Sequence, residues 1–124
     1  MFIRISVFVL YFLLIGCTPS KVIITPDTLP EAIVGKPYYA EIEINGGSGP
    51  VTASGFKSTS TSNRLWVERN PNKESGFYNS LIVHGKPLTT ETVTIKIRGG
   101  MIPTGWRAPS DFEKTYVIKV KEKE

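Results

Sequence analysis

Cysteine, histidine and aspartate are nearly missing from this 124-residue sequence, which has one cysteine, Cys17, one histidine, His84, and two aspartates, Asp27 and Asp111. A single cysteine cannot close a disulfide within the chain, so burial and strand pairing must stabilise the folded part. One histidine and two aspartates are too few for an ordinary metal site. No nucleophile motif accompanies His84, so a catalytic triad is not indicated. We predict a surface or turn role for His84, no metal and no cofactor.

A long hydrophobic run is missing as well. Residues 7–15 are all apolar or aromatic and follow the basic side chain of Arg4. As a helix these residues would extend about 14 Å, whereas the hydrocarbon core of a bilayer is about 30 Å thick. A basic start, a short apolar core and a small residue at the end are typical of a secretory signal peptide.

The end of this segment, Leu14-Ile15-Gly16-Cys17, resembles the lipobox of bacterial lipoproteins. The resemblance implies diacylglyceryl transfer to the sulfur of Cys17, cleavage between Gly16 and Cys17, and acylation of the new amino terminus. Two alternatives are an ordinary signal peptide with an incidental cysteine and a cysteine buried in the core. The lipobox divides the chain into a signal peptide at 1–16, a lipidated tether at 17–21 and a folded domain at 22–124.

The lipobox also predicts where the protein resides. Acyl chains on Cys17 would hold it in the cell envelope. Thr18 follows the cysteine, where an aspartate commonly signals inner-membrane retention, so the sequence resembles the outer-membrane default of Gram-negative lipoproteins. We therefore expect the domain on the periplasmic face or at the cell surface.

The mature chain, residues 17–124, has the length of one domain. Without Arg4 it carries 14 lysines and arginines against 11 acidic residues. These charges are scattered, whereas a nucleic-acid-binding protein presents a clustered basic stripe. We predict no nucleic-acid partner.

The folded part has no useful helix pattern. Prolines and glycines separate short β-rich runs in which apolar and polar residues alternate. The polar segment KSTSTSN, residues 57–63, is predicted to be a loop. Roughly seven such runs predict an all-β fold, an antiparallel β-sandwich, with an up-and-down barrel as the alternative. The predicted core faces include Tyr38, Ala40, Ile42 and Ile44; Leu65 and Val67; Phe77, Leu81 and Val83; Val93, Ile95 and Ile97; and Tyr116, Ile118 and Val120.

The segment ITPDTLPEAIVGKPYYAEIEINGGSGPV resembles the opening of bacterial immunoglobulin-like and cadherin-like modules. The later segment LIVHGKPLTTETVTIKI resembles their Gly-x-Pro turn and the strand that follows it. The resemblance covers about residues 22 to 121 and implies an immunoglobulin-like β-sandwich. The acidic calcium-binding pattern of cadherin-like modules is missing, so no structural calcium is expected. The matching positions are Leu29, Pro30, Gly35, Tyr38, Gly46, Gly47, Gly49, Pro50, Gly85, Pro87, Val93, Ile95 and Ile97.

Candidate contact residues lie mainly in the segment 99–112, which we predict to be a long loop. It contains Met101, Ile102, Trp106, Arg107 and Phe112, and tryptophan and arginine are favoured at the centres of binding interfaces. The loop either caps an open end of the core or forms a contact surface. Trp66 and Tyr39, predicted to point outward from their strands, either cover exposed apolar area or meet a partner.

Three functions follow as hypotheses. The first is a lipid-anchored binding or structural module that docks an unidentified envelope protein or polymer. The second is an inhibitor or immunity-type lipoprotein that blocks a periplasmic enzyme. The third is a glycan-active enzyme that uses Glu41 and Glu43, although two glutamates at this spacing are also typical of an outward sheet face. We predict the first and expect no catalytic residues.

Overall fold

The computed structural model describes residues 21–73, 76–103 and 109–123. Within these residues the secondary structure consists of strands without a helix, which confirms the predicted all-β class. The strands are β1 (Val22–Thr25), β2 (Ala32–Ile33), β3 (Tyr38–Gly46), β4 (Val51–Ser60), β5 (Leu65–Arg69), β6 (Ser80–Gly85), β7 (Val93–Met101), β8 (Asp111–Ile118) and β9 (Val120–Lys121).

Two antiparallel sheets form the sandwich. One has the strand order β1-β3-β6-β5 and the other has the order β4-β7-β8. A two-residue parallel pair, β2 with β9, extends the second sheet because β9 continues β8 after an interruption at Lys119. In an immunoglobulin constant-type sandwich, strands A-B-E-D and C-F-G have these same two orders.

The core lies between the sheets, where the alternating runs point their apolar residues. Along β3 the side chains are alternately buried and exposed over its first part, and Ile42 and Ile44 are almost fully buried. The opposite wall comes mainly from β7 and β8, through Ile95, Ile97 and Tyr116. The predicted core faces of these three strands are confirmed.

The turn after β3 depends on two glycines. Gly46 and Gly47 have φ angles of 74° and 66°, a region that favours glycine. The amide of Gly47 donates a hydrogen bond to the carbonyl of Lys21. This turn therefore sits where the chain enters the domain.

The polar segment after residue 56 differs from its prediction as a loop. Residues 57–60 belong to β4, where Lys57 pairs with Arg98 and Ser60 with Ile95. Backbone bonding to β7 does not depend on side-chain polarity, and β4 is an edge strand whose side chains remain largely exposed. Polar composition therefore concealed a ten-residue strand.

The predicted loop 99–112 is shorter than expected, because β7 continues to Met101 and β8 begins at Asp111. Met101 and Phe112 are only 4% and 8% exposed and pack in the core, so their predicted places on a contact surface are wrong. Phe77 was expected to face the core, but it precedes β6 and is exposed.

The sandwich has two distinguishable ends. At one end, backbone and side-chain hydrogen bonds connect Lys21, the turn 46–51, Ile102 and Ser110. We call it the entry end, because the chain enters the domain there. The opposite end, the far end, contains Gly85, Arg64 and Pro87. There the amide of Lys86 donates a hydrogen bond to the carbonyl of Arg64, and the amide of Gly35 donates one to the carbonyl of Pro87. The nine residues of β3 run between these ends, a span of about 30 Å.

Candidate functional site: an aromatic and acidic sheet face

The outward side of β3, β6 and β5 presents two rows of side chains. In the first row His84 lies opposite both Tyr39 and Trp66. In the second row Ile82 lies opposite both Glu41 and Glu68. Neighbouring strands are about 4.8 Å apart, so each row brings its three side chains together. We call these six residues the aromatic–acid patch.

Glu68 connects the two rows. Its Oε1 accepts a hydrogen bond from Nε1 of Trp66 at 2.9 Å, and its Oε2 lies 3.0 Å from Nε2 of His84. The second contact is an ion pair when the imidazole is protonated. The Trp66 hydrogen bond, assisted by His84, holds the pKa of Glu68 below its ordinary value against the opposing effect of desolvation. Glu68 is therefore an ionised carboxylate at neutral pH.

Rings also meet in the first row. The centroids of Trp66 and His84 are 4.8 Å apart with planes inclined at 57°, a tilted arrangement that aromatic pairs favour. The hydrogen bond to Glu68 and this ring contact fix the indole from two sides. Trp66 is thus oriented before any partner arrives, which lowers the entropy lost on binding.

Tyr39 and Glu41 form the opposite border of the patch. The Tyr39 hydroxyl donates a 2.9 Å hydrogen bond to Oε1 of Glu41. This bond to a carboxylate is the main reason that the pKa of Tyr39 is raised, while a hydrogen bond with Asn72 acts in the other direction. The neighbouring Glu43 accepts a hydrogen bond from the Ser80 hydroxyl at 2.6 Å, so the two glutamates of β3 have separate partners.

The patch combines shielded apolar area with exposed rings. Ile82 points away from the core and is nevertheless only 5% exposed, because its neighbours cover it. Tyr39 and Trp66 themselves remain 55% and 40% exposed. Large amphipathic side chains held on strands above a packed core make a rigid contact surface.

The patch contains two carboxylates and no lysine or arginine. Glu41 and Glu68 lie in the same row, and neither row contains a lysine or an arginine. Exposed indole and phenol faces attract cations through their quadrupoles, and carboxylates attract them through charge. The arrangement is suited to receive lysine, arginine or another cationic group.

The structure separates the residues that the sequence nominated. It brings Trp66 and Tyr39 together, through His84, in the far half of the first sheet. Ile102 lies at the entry end and is 41% exposed. Trp106 and Arg107, together with Gly16 and Cys17, lie outside the described residues, so their predicted roles stay predictions.

Sequence reasoning considered Glu41 only as a possible catalytic residue, and it missed three other members of the patch: Glu68, His84 and Ile82. A usable signal was present, because an aromatic residue is followed two positions later by glutamate in both β3 and β5. In both pairs the aromatic and acidic side chains point outward from their strand. Only the strand register shows that His84 lies between the two pairs.

A polar cleft of about 710 Å³ opens at the far end, beside β4 and β7. Five of its eleven lining residues are serines or threonines. Its lining includes Ser60, Thr61, Ser62, Asn63, Arg64, Leu88, Thr89, Glu91 and Thr92.

Residues 21–73, 76–103 and 109–123 contain no group of three or more histidine, cysteine, aspartate or glutamate side chains placed to hold a metal ion. The same part of the chain has no helix with the length and apolarity needed to cross a membrane.

None of the known family models and none of the curated proteins matches this chain. Among solved structures, it is similar to a point mutant of the SrpA adhesin from Streptococcus sanguinis, with a TM-score of 0.55 and 20% identity over 85% of this chain and 60% of that one. The SrpA adhesin itself gives a TM-score of 0.53 and 21% identity, over 85% of this chain and 58% of that one. The chain thus spans about three fifths of these structures, and the similarity establishes the β-sandwich fold.

Proposed function

We propose that this chain is a lipid-anchored envelope protein whose β-sandwich is a binding module and not an enzyme, and that it docks a partner through the aromatic–acid patch. The main support is that one sheet face exposes Tyr39 and Trp66 beside the carboxylates of Glu41 and Glu68. The anchor rests on the lipobox at Cys17. The adhesin name of the structural neighbours supports binding as a class of function and supplies no partner.

The patch favours a partner that presents cationic groups. Two carboxylates and two exposed aromatic faces lie within two adjacent rows that contain no lysine or arginine. A lysine or arginine from the partner would gain both cation–π and charge-assisted hydrogen-bond contacts there. A protein segment or an amine-bearing envelope polymer has this chemistry.

The test is photo-cross-linking in the native envelope with benzoylphenylalanine in place of Tyr39, which keeps a ring at that position. A discrete adduct is expected, and added salt should reduce it because the contact is partly electrostatic. Trp66→Ala should lower the adduct yield about tenfold, since truncation of a central tryptophan commonly costs more than about 1 kcal/mol of binding energy.

Two controls make the result specific. Leu88→Ala removes a side chain that is more exposed than Trp66 but lies in the far-end cleft, and it should leave the adduct unchanged. The photo-probe at Val117, on the outward face of the other sheet, should give no such adduct. Equal adducts from positions 39 and 117, or equal losses with Trp66→Ala and Leu88→Ala, would refute the patch.

A further inference from the structure

Three large apolar side chains are exposed around the entry end of the sandwich. They are Ile23, Phe77 and Ile102, at 53%, 41% and 41% exposure. Each comes from a different part of the chain: β1, the segment before β6, and the residue after β7. A grouping of this kind on a small domain is an indicator of contact with another apolar phase.

Backbone pairing places the three residues around one turn. The amide of Ile102 donates to the carbonyl of Pro50, and the amide of Tyr78, next to Phe77, donates to the carbonyl of Val51. Ile23 is paired with Asn45, directly before the turn. The three side chains therefore border the turn 46–51.

The chain enters the domain at this same turn, through the hydrogen bond between Gly47 and the carbonyl of Lys21. Three residues, 18–20, lie between Cys17 and Lys21, so four peptide units connect the two. Whatever path they take, they span at most about 14 Å. An acylated Cys17 would therefore hold the entry end within that distance of the lipid.

We propose that the entry end seats on the lipid surface, with Ile23, Phe77 and Ile102 in the interfacial layer. The inference rests on the proposed lipid anchor and deepens it from a flexible attachment to a fixed orientation. Partial insertion of apolar side chains adds to the hold of an acyl anchor, and Lys21, which is exposed, suits an anionic headgroup.

The seating has a consequence for the aromatic–acid patch. Tyr39 lies seven residues from Gly46 along β3, a distance of about 23 Å. With the entry end on the membrane, the patch and the far-end cleft would point away from the lipid. Both would be open to a partner in the aqueous phase.

Nitroxide accessibility tests this seating on the full acylated chain, reconstituted in vesicles of phosphatidylethanolamine and phosphatidylglycerol. Because Cys17 is the only native cysteine and its sulfur is acylated, a new thiol takes the label alone. Labels are placed in Ile102→Cys and Phe77→Cys, with Leu88→Cys at the far end as the matched exposed control.

Seating predicts that the labels at 102 and 77 are relaxed by oxygen and shielded from an aqueous nickel chelate, while the label at 88 shows the reverse. Acylated protein that sediments with vesicles, yet leaves the labels at 102 and 77 as open to the chelate as the label at 88, overturns the seating alone. A chain that carries no acyl group and does not sediment overturns both the anchor and the seating.

Discussion

Gly85 is the residue whose identity is most tightly dictated by its surroundings. It has a φ angle of 139°, and a Cβ there would overlap the carbonyl oxygen of Arg64. The same residue pairs with Tyr38 on one side and Leu65 on the other, so three strands meet at it. The Gly-x-Pro resemblance identified this glycine from sequence, and the close approach of the Arg64 backbone explains it.

Gly85→Ala should therefore lower the free energy of unfolding by about 2 kcal/mol or more, through backbone strain and displacement of Arg64. Urea denaturation of the purified protein measures this. Gly76→Ala is the matched control, because a Cβ there meets no atom within 4 Å and should change stability little. Equal stability of the two variants would contradict the steric explanation.

At the scale of elements, the connection between β1 and β2 is held by two tyrosines. The Tyr116 hydroxyl donates to the carbonyl of Pro26 at 2.6 Å, and the Tyr38 hydroxyl donates to the carbonyl of Pro30 at 2.8 Å. These bonds fasten both ends of a segment that crosses from one sheet to the other. Their donors come from β8 and β3, one strand in each sheet.

These two tyrosines predict a loss of stability at high pH. Burial raises the pKa of Tyr38 and of Tyr116 to about 12, above the value near 10 of an unfolded chain. The folded state therefore retains protons that the unfolded state releases, so stability is complete below about pH 10 and falls as the pH rises toward 12. Each tyrosine should contribute at most about 2 kcal/mol of this loss, because solvent partly screens its hydroxyl.

Urea unfolding at a series of alkaline pH values measures how steeply the free energy of unfolding falls with pH. Tyr116→Phe should cost about 1 kcal/mol at neutral pH, because the Pro26 carbonyl loses its donor. The variant should then lose less stability than the original protein between about pH 10 and 12, since one titrating group has gone. An unchanged slope in Tyr116→Phe would refute the assignment.

Predictability also differed from one element to another. β3 and β7 were found from alternation because their inward residues are apolar and their outward residues polar. β4 was missed beyond residue 56, because an edge strand needs little apolar character to bond its one neighbour. Two-residue β2 and β9 carry too few residues for a pattern, so the sequence predicted about seven strands where the described residues contain nine.

For the whole molecule, the sandwich class followed from the number and spacing of the runs, but the partners of each strand did not. The candidate site shows the consequence. Trp66 and Tyr39 were nominated as separate outward residues, and the register of β6 against both β3 and β5 makes them one surface with His84 between them. Long-range pairing decides such a site, and a single sequence carries no direct signal for it.

The attachment of the whole molecule supplies the last prediction. Cys17→Ser removes the sulfur that would carry the diacylglyceryl group, and residues 7–15 are too short to span a bilayer. Each buried methylene contributes about 0.8 kcal/mol, so several acyl chains bind a membrane stably, whereas a seated protein face of three side chains does not by itself. Cell fractionation should therefore find the Cys17→Ser protein released from the membrane fraction.

Ile102→Ser is the informative control for that release. It removes an apolar side chain from the entry end and leaves the acyl chains in place, so the protein should remain in the membrane fraction. If Cys17→Ser instead stays membrane-bound with residues 1–16 uncleaved, the apolar run is the anchor and the lipobox interpretation is wrong. Because the mass of the mature chain reports cleavage directly, mass spectrometry of the two variants separates a lipid anchor from a retained signal segment.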